Sequence, residues 1–170
     1  MMERIQLQTQ ATGEYPTAHG LTKDIRLADM IAEVYAGRYS EMTAVMRYSF
    51  QHTVSELNPS YRMLADALRG IAVSEMNHLS RLGNLIGALG RVPVYANAKG
   101  QPFSAMSVDF ESDAKRFLQN DIDGEYLAID DYEYLIAHCD NEQVNAVIRR
   151  IVEDEKVHIL TLNELLGALK

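Results

Sequence analysis

Glutamate and histidine recur at one spacing in this chain, as Glu75-x-x-His78 and Glu155-x-x-His158. Three residues apart on a helix, a carboxylate and an imidazole project from the same face, so each pair can offer oxygen and nitrogen donors to a common point. The surroundings of the pairs narrow the chemistry. The first interrupts the apolar series Leu64, Leu68, Ile71 and Leu82, Leu85, Leu89; the second interrupts Val144, Ile148, Ile151 and Leu162, Leu165, Leu169. These alternating steps of three and four line one helix face, so both pairs point into a core. A buried carboxylate needs a partner, and two such pairs facing each other are satisfied by a metal centre.

Two further segments match each other. Glu41-x-x-Ala44-Val45-x-x-Tyr48 and Glu125-x-x-Ala128-Ile129-x-x-Tyr132 share one pattern. Glu41 continues a stripe through Val34, Val45 and Tyr48, and Glu125 one through Leu118, Ile122, Ile129 and Tyr132, so both glutamates are expected at core-facing positions. One Glu-x-x-His match is unremarkable in a chain with five histidines. Two on apolar stripes, each opposite a core-facing glutamate with the same following residues, point to a site. Four buried glutamates carry a charge of −4, which two divalent ions cancel. Carboxylates and imidazoles without thiolates suit two iron ions, or manganese, with zinc as a substitute.

The elements that must position these residues are all helical. Residues 1–20, rich in Gln, Thr and Gly, read as an N-terminal arm, and 21–170 as one bundle. The spacing predicts a first helix from Leu21 to Leu57, ending at Asn58-Pro59. A second runs from Ser60, its cap, to Leu89, with Gly90 and Pro93 beyond. Arg91 to Met106 is a connection, Ser107 to His138 a third helix, and Asp140 caps a fourth with Gln143 at the capping-box position. Short links make helices one and two, and three and four, antiparallel hairpins. The middle link extends at most about 53 to 58 Å against about 45 Å for a 30-residue helix, so it can run the length of the bundle as a crossover. Counted from the two hairpin turns, Glu41 lies level with Glu75 and His78, and Glu125 level with Glu155 and His158.

Composition excludes several classes. A formal charge of −8 without a basic block argues against a nucleic-acid partner. No apolar run is long enough to span a membrane, and nothing at the amino terminus has the form of a signal peptide, so a cytoplasmic location is expected. The single cysteine, Cys139, permits no internal disulfide and no thiolate-based iron or zinc site.

The motif set, from about Leu27 to Leu169, resembles the ferritin-like carboxylate-bridged dimetal proteins, close to the rubrerythrin and bacterioferritin branch. The resemblance implies an all-α, ferritin-like four-helix bundle of two antiparallel hairpins joined by a long crossover between helices two and three. It further implies Glu41 and Glu125 as terminal ligands, Glu75 and Glu155 as bridges, and His78 and His158 as one ligand to each metal. Tyr48 and Tyr132 would donate hydrogen bonds beside them. Rubrerythrins carry a further glutamate where this chain has Ala128, and a rubredoxin domain that one cysteine cannot build. The implied function is a di-iron or di-manganese redox protein with a rubrerythrin-like peroxidase role, reacting with hydrogen peroxide or dioxygen and drawing on an external electron donor. The alternative is iron binding and ferroxidase chemistry of bacterioferritin type. A homodimer is expected, with the Tyr35/Tyr39 region and the arm as available surfaces.

Other polar residues carry less. His52 and His138 read as helix-end residues and His19 as part of the arm. Glu153 and Asp154 read as solvated or as neighbours of the ligands, Arg47 and Asp131 as offset from the stripes, and Cys139 as a turn residue open to solvent.

Overall fold

In a computed structural model, which describes residues 7–169, five α-helices form a four-membered bundle whose first member is broken. They are α1 (Ile25–Ala36), α2 (Glu41–Glu56), α3 (Arg62–Ala88), α4 (Ala114–Ala137) and α5 (Glu142–Ala168). Helix α2 packs along α3, and α4 along α5; α1 sits against α3 and α4. The expected two-hairpin, one-crossover topology is the observed one. Residues 1–6 of the expected arm, and Lys170, lie outside the described residues.

The long first helix is a correction. Gly37 ends α1, its N–H donating to the Glu33 carbonyl, and Ser40 caps α2 by accepting from the Thr43 N–H. A Cβ on Gly37 would stand 2.4 Å from the Glu33 carbonyl oxygen, so no larger residue makes this corner unchanged. The break turns α1 into a separate support. Tyr35 stacks on Tyr95 with ring centroids 5.6 Å apart and donates its hydroxyl to the Pro93 carbonyl, pinning the crossover. Tyr35 is therefore buried and offers no outer surface, whereas Tyr39 is exposed.

Three other ends also move. Asn58, not Ser60, is the capping side chain at the first hairpin, over a 3-10 turn at Pro59–Tyr61. Asn141, not Asp140, caps α5 by accepting from the N–H groups of Gln143 and Val144. The third bundle helix begins at Ala114 rather than Ser107, because Asp113 supplies the cap while Ala105–Ser107 forms a 3-10 turn within the crossover. In each case an Asx side chain accepts from a backbone N–H at the start of the turn or helix.

The helix stripes bury as the spacing requires. Leu64, Leu68, Ile71, Leu82 and Leu85 of α3 and Val144, Ile148, Ile151, Leu162 and Leu165 of α5 are all buried. They fall into two apolar clusters. One joins α1 to the second half of α3 and the first half of α5; the other joins Tyr48 and the first halves of α3 and α4 to the end of α5. The Glu-x-x-His pairs lie between the clusters, in a polar layer with hydrocarbon above and below. Among the described residues, no helix is long and apolar enough to cross a membrane.

Candidate metal centre

All six sequence-selected residues meet in that layer, at most 4% exposed. Two groups of four side chains each bring their donor atoms within 4.8 Å of one another: Glu41, Glu75, His78, Glu155 and Glu75, Glu125, Glu155, His158. The arrangement of oxygens is specific. Glu75 places Oε2 3.1 Å from His78 Nδ1 and Oε1 3.2 Å from His158 Nδ1. Glu155 mirrors it, with Oε1 3.2 Å from His78 Nδ1 and Oε2 2.8 Å from His158 Nδ1. Each of these carboxylates thus spans both imidazoles. Glu41 approaches only His78, at 3.5 Å, and Glu125 only His158, at 3.9 Å. The two half-sites are related by an approximate twofold that follows from the doubled sequence.

The tyrosines cross over. Tyr48 on α2 donates its hydroxyl to Glu125 on α4, and Tyr132 on α4 donates to Glu41 on α2. Both phenols are fully buried. Burial pushes their pKa well above the ordinary value, and the adjacent carboxylates add to this, so they remain proton donors. Each ties a glutamate to the opposite hairpin.

Both imidazoles turn Nδ1 inward and Nε2 outward. His158 Nε2 lies 3.0 Å from the Thr9 carbonyl, an acceptor only, so Nε2 carries a hydrogen and Nδ1 is the nitrogen that faces the carboxylates. His78 Nε2 lies 3.1 Å from Asp154 Oδ2.

Charge in the layer is unbalanced. Burial, then repulsion from Glu75, pushes the Glu41 carboxyl up to about 8. Burial works against charging the imidazoles, yet the surrounding carboxylates win and hold both His78 and His158 well above the usual histidine value. Burial likewise opposes ionisation of Glu155, and His78 overcomes it, leaving that carboxyl below its ordinary range. Glu41 Oε2 and Glu75 Oε1 are buried without a hydrogen-bond donor aligned on them. Four carboxylates, two inward-facing nitrogens and orphaned oxygens fit a pair of divalent cations, which would supply the missing charge.

Residues that periodicity did not select complete the surroundings. Arg47 on α2 reaches Asp121 on α4 at 3.0 Å, and Gln51 donates to the same carboxylate at 3.1 Å, all within the bundle. Asp121 is fully buried; four residues before Glu125, it stands one helical turn away. Asp154, expected to be solvated or to neighbour the ligands, is fully buried, whereas Glu153 is exposed and pairs with Lys156. His52 bonds the Ala65 carbonyl and His138 the Tyr134 carbonyl, both away from the layer. Cys139 is buried, a correction to the exposed turn expected.

A cavity of about 60 Å³ runs from Glu75 and Glu155 outward between α2 and α4, past Thr43, Ala44, Gly124 and Ala128. That volume holds a few molecules of the size of water.

The family model described as the ferritin-like domain matches residues 39–170. The chain belongs to the ferritin-like domain family. This ferritin-like chain superimposes on KatB, a manganese catalase from Anabaena PCC7120, with a TM-score of 0.81 and 22% identity, covering 94% of this chain and 80% of that one. On a bacterioferritin from Desulfovibrio desulfuricans, with a diiron site, the TM-score is 0.69 at 23% identity, covering 84% of this chain and 78% of that one. The two likenesses are of fold. In sequence, the ferritin-like chain is 26% identical over 168 residues to Protein CotJC of Bacillus subtilis (strain 168), with 85% of each chain covered.

Proposed function

We propose that the chain binds two manganese or iron ions and uses the pair to react with hydrogen peroxide. The observation that carries this is the division of carboxylate oxygens: Glu75 and Glu155 each present one oxygen to either imidazole, while Glu41 and Glu125 each serve one side. Glu41 and His78 would hold one ion, Glu125 and His158 the other, and Glu75 and Glu155 would bridge them. When bound, such a pair supplies a two-electron exchange with the oxygen–oxygen bond, divided between two metals.

The chain's own groups prepare the site for that exchange. Tyr48 and Tyr132 hold the terminal glutamates by hydrogen bonds across the bundle. The apolar clusters on either side exclude bulk water. The cavity between α2 and α4 admits a molecule of peroxide size. Ala128 lines this cavity where a rubrerythrin would carry a further glutamate, which favours an open approach over the rubrerythrin arrangement.

Disproportionation, in which two peroxides yield two waters and dioxygen, is the reading put first. It needs no electron donor, and the more extensive of the two structural likenesses is to a manganese catalase. Ferrous oxidation of bacterioferritin type is the second reading, supported by the other neighbour. Metal content per chain in natively purified protein, followed by peroxide addition in an oxygen electrode, tests both. Two metals and oxygen evolution without a donor support the first. Oxygen consumption on adding ferrous ion, without oxygen evolution from peroxide, supports the second. A chain that takes up no redox metal after reconstitution refutes the proposal.

A further inference from the structure

The doubled sequence breaks its symmetry beside the two histidines. Aligning Glu75 with Glu155 sets Ser74 against Asp154, and Gly70 against Arg150. Asp154 gives His78 Nε2 a carboxylate partner at 3.1 Å. On the other side, Ser74 reaches not His158 but His78, at 3.5 Å, and His158 takes its partner from outside the bundle, the Thr9 carbonyl of the arm.

The arm is seated by features on both long helices. A Cβ on Gly70 would stand 2.7 Å from Thr9 Cγ2, so the bare glycine on α3 is what allows Thr9 to approach. On α5, Arg150 donates to the carbonyls of Ala11 at 2.7 Å and Gly13 at 3.4 Å, and Thr161 donates to that of Gln8. The Ala11 N–H donates to Asp154 Oδ1 at 2.6 Å, and the Tyr15 hydroxyl donates to Asp154 Oδ2. Tyr15 is itself clamped between Arg81 and Arg150, each 4.4 Å from its ring centroid, and stands edge-on to the His78 ring.

We infer that the segment Thr9–Tyr15 is a positioning element of the metal centre, and that it makes the two metal positions unequal. This rests on the two-metal reading above. The arm orients His158 directly, through a neutral carbonyl, and His78 indirectly, by holding Asp154 together with Arg150, whose guanidinium pairs with Asp154 Oδ1. A carboxylate partner makes an imidazole a stronger donor than a carbonyl partner does. The position served by His78 therefore fills first and the position served by His158 second, although the six donors themselves are symmetric. In the homologous halves of the sequence nothing but Ser74 stands where the second carboxylate would be, so the arm replaces a missing side chain.

The test is a stepwise manganese(II) titration against a chromophoric chelator, with helix content followed by circular dichroism. Four proteins are compared: the wild type, a chain shortened to begin at Ala11 after a new initiator methionine, Gly70→Leu, and Asp154→Asn. Shortening removes the Thr9 carbonyl but keeps Ala11 and Tyr15, and Gly70→Leu fills the seat of Thr9 with a better helix former. Both are expected to weaken the second binding step by about 10- to 100-fold while leaving the first step and the helix content unchanged. Asp154→Asn is expected to weaken the first step by a similar factor. Wild-type constants in the shortened chain and in Gly70→Leu overturn the inference, as does equal weakening of both steps with loss of helix, which marks a merely structural arm. Failure of the wild-type chain to take up manganese(II), and iron(II) in a parallel titration, refutes the two-metal reading itself, and is distinguished by the wild-type titrations alone.

Discussion

Glu75 is the residue on which the centre turns, because its two oxygens face different imidazoles. Glu75→Ala removes one donor from each half-site, so the variant is expected to lose both metals, measured as metal per chain, while its far-ultraviolet circular dichroism stays helical. Glu153→Ala is the control two residues from Glu155. Its side chain is 56% exposed and pairs with Lys156, an arrangement worth less than about 0.5 kcal/mol, so metal content and urea midpoint should match the wild type. Arg47 presents the opposite case. It neutralises Asp121 inside the bundle, and Arg47→Leu leaves a fully buried carboxylate with only Gln51 as partner. That change is expected to lower stability by about 3 kcal/mol, and adding Asp121→Asn should restore part of the loss in the same urea titration. If the double variant is no more stable than the single, the ion pair is not the source of the effect.

Among the elements, the break between α1 and α2 has the most to explain. It gives α2 its own start at Glu41, so a site residue sits in the first turn of a helix instead of the middle of a long one. It also frees α1 to hold the crossover through Tyr35, Tyr95 and Pro93. Gly37→Ala forces a Cβ against the Glu33 carbonyl at 2.4 Å and must shift this corner. A loss of about 1 to 3 kcal/mol is expected in chemical denaturation, together with weaker metal binding, since Glu41 lies four residues on. Wild-type stability in this variant would show that the corner relaxes freely.

For the molecule as a whole, the layer is a band of four carboxylates and two imidazoles between two apolar clusters. Burial holds Glu41 up to about 8 and the carboxylates hold both imidazoles well above their usual range, so protons limit the charge of the layer wherever cations do not. Divalent ions bound there would supply that charge instead and, by mass action, would stabilise only the folded chain. With free manganese at a hundredfold excess over its dissociation constant, one site adds about 2.7 kcal/mol, or roughly 5 to 10 °C in Tm for a chain of this size. Dialysis against a chelator should lower Tm by at least that amount and readdition of manganese should restore it; an unchanged Tm would mean that the layer is stable without ions.

Sequence by itself determined the long helical stripes, the six inward donors, the two tyrosines and the order of hairpins and crossover. Each of these is a matter of spacing along one helix, and a period of 3.6 residues places a side chain on a face without reference to any other element. Only the tertiary structure decided the rest. Asp154 is off its own helix's apolar stripe, yet a carboxylate there is buried because the arm and α3 cover that flank of α5. Asp121 and Arg47 are each unremarkable on their helices and become a pair only where α2 and α4 approach. The Thr9 carbonyl has no side-chain signature at all, and Gly70 opposite it marks the close approach only once the arm is in place. Contacts between distant segments carry no period, so the partners of the two imidazoles, and with them the inequality of the half-sites, are properties of packing.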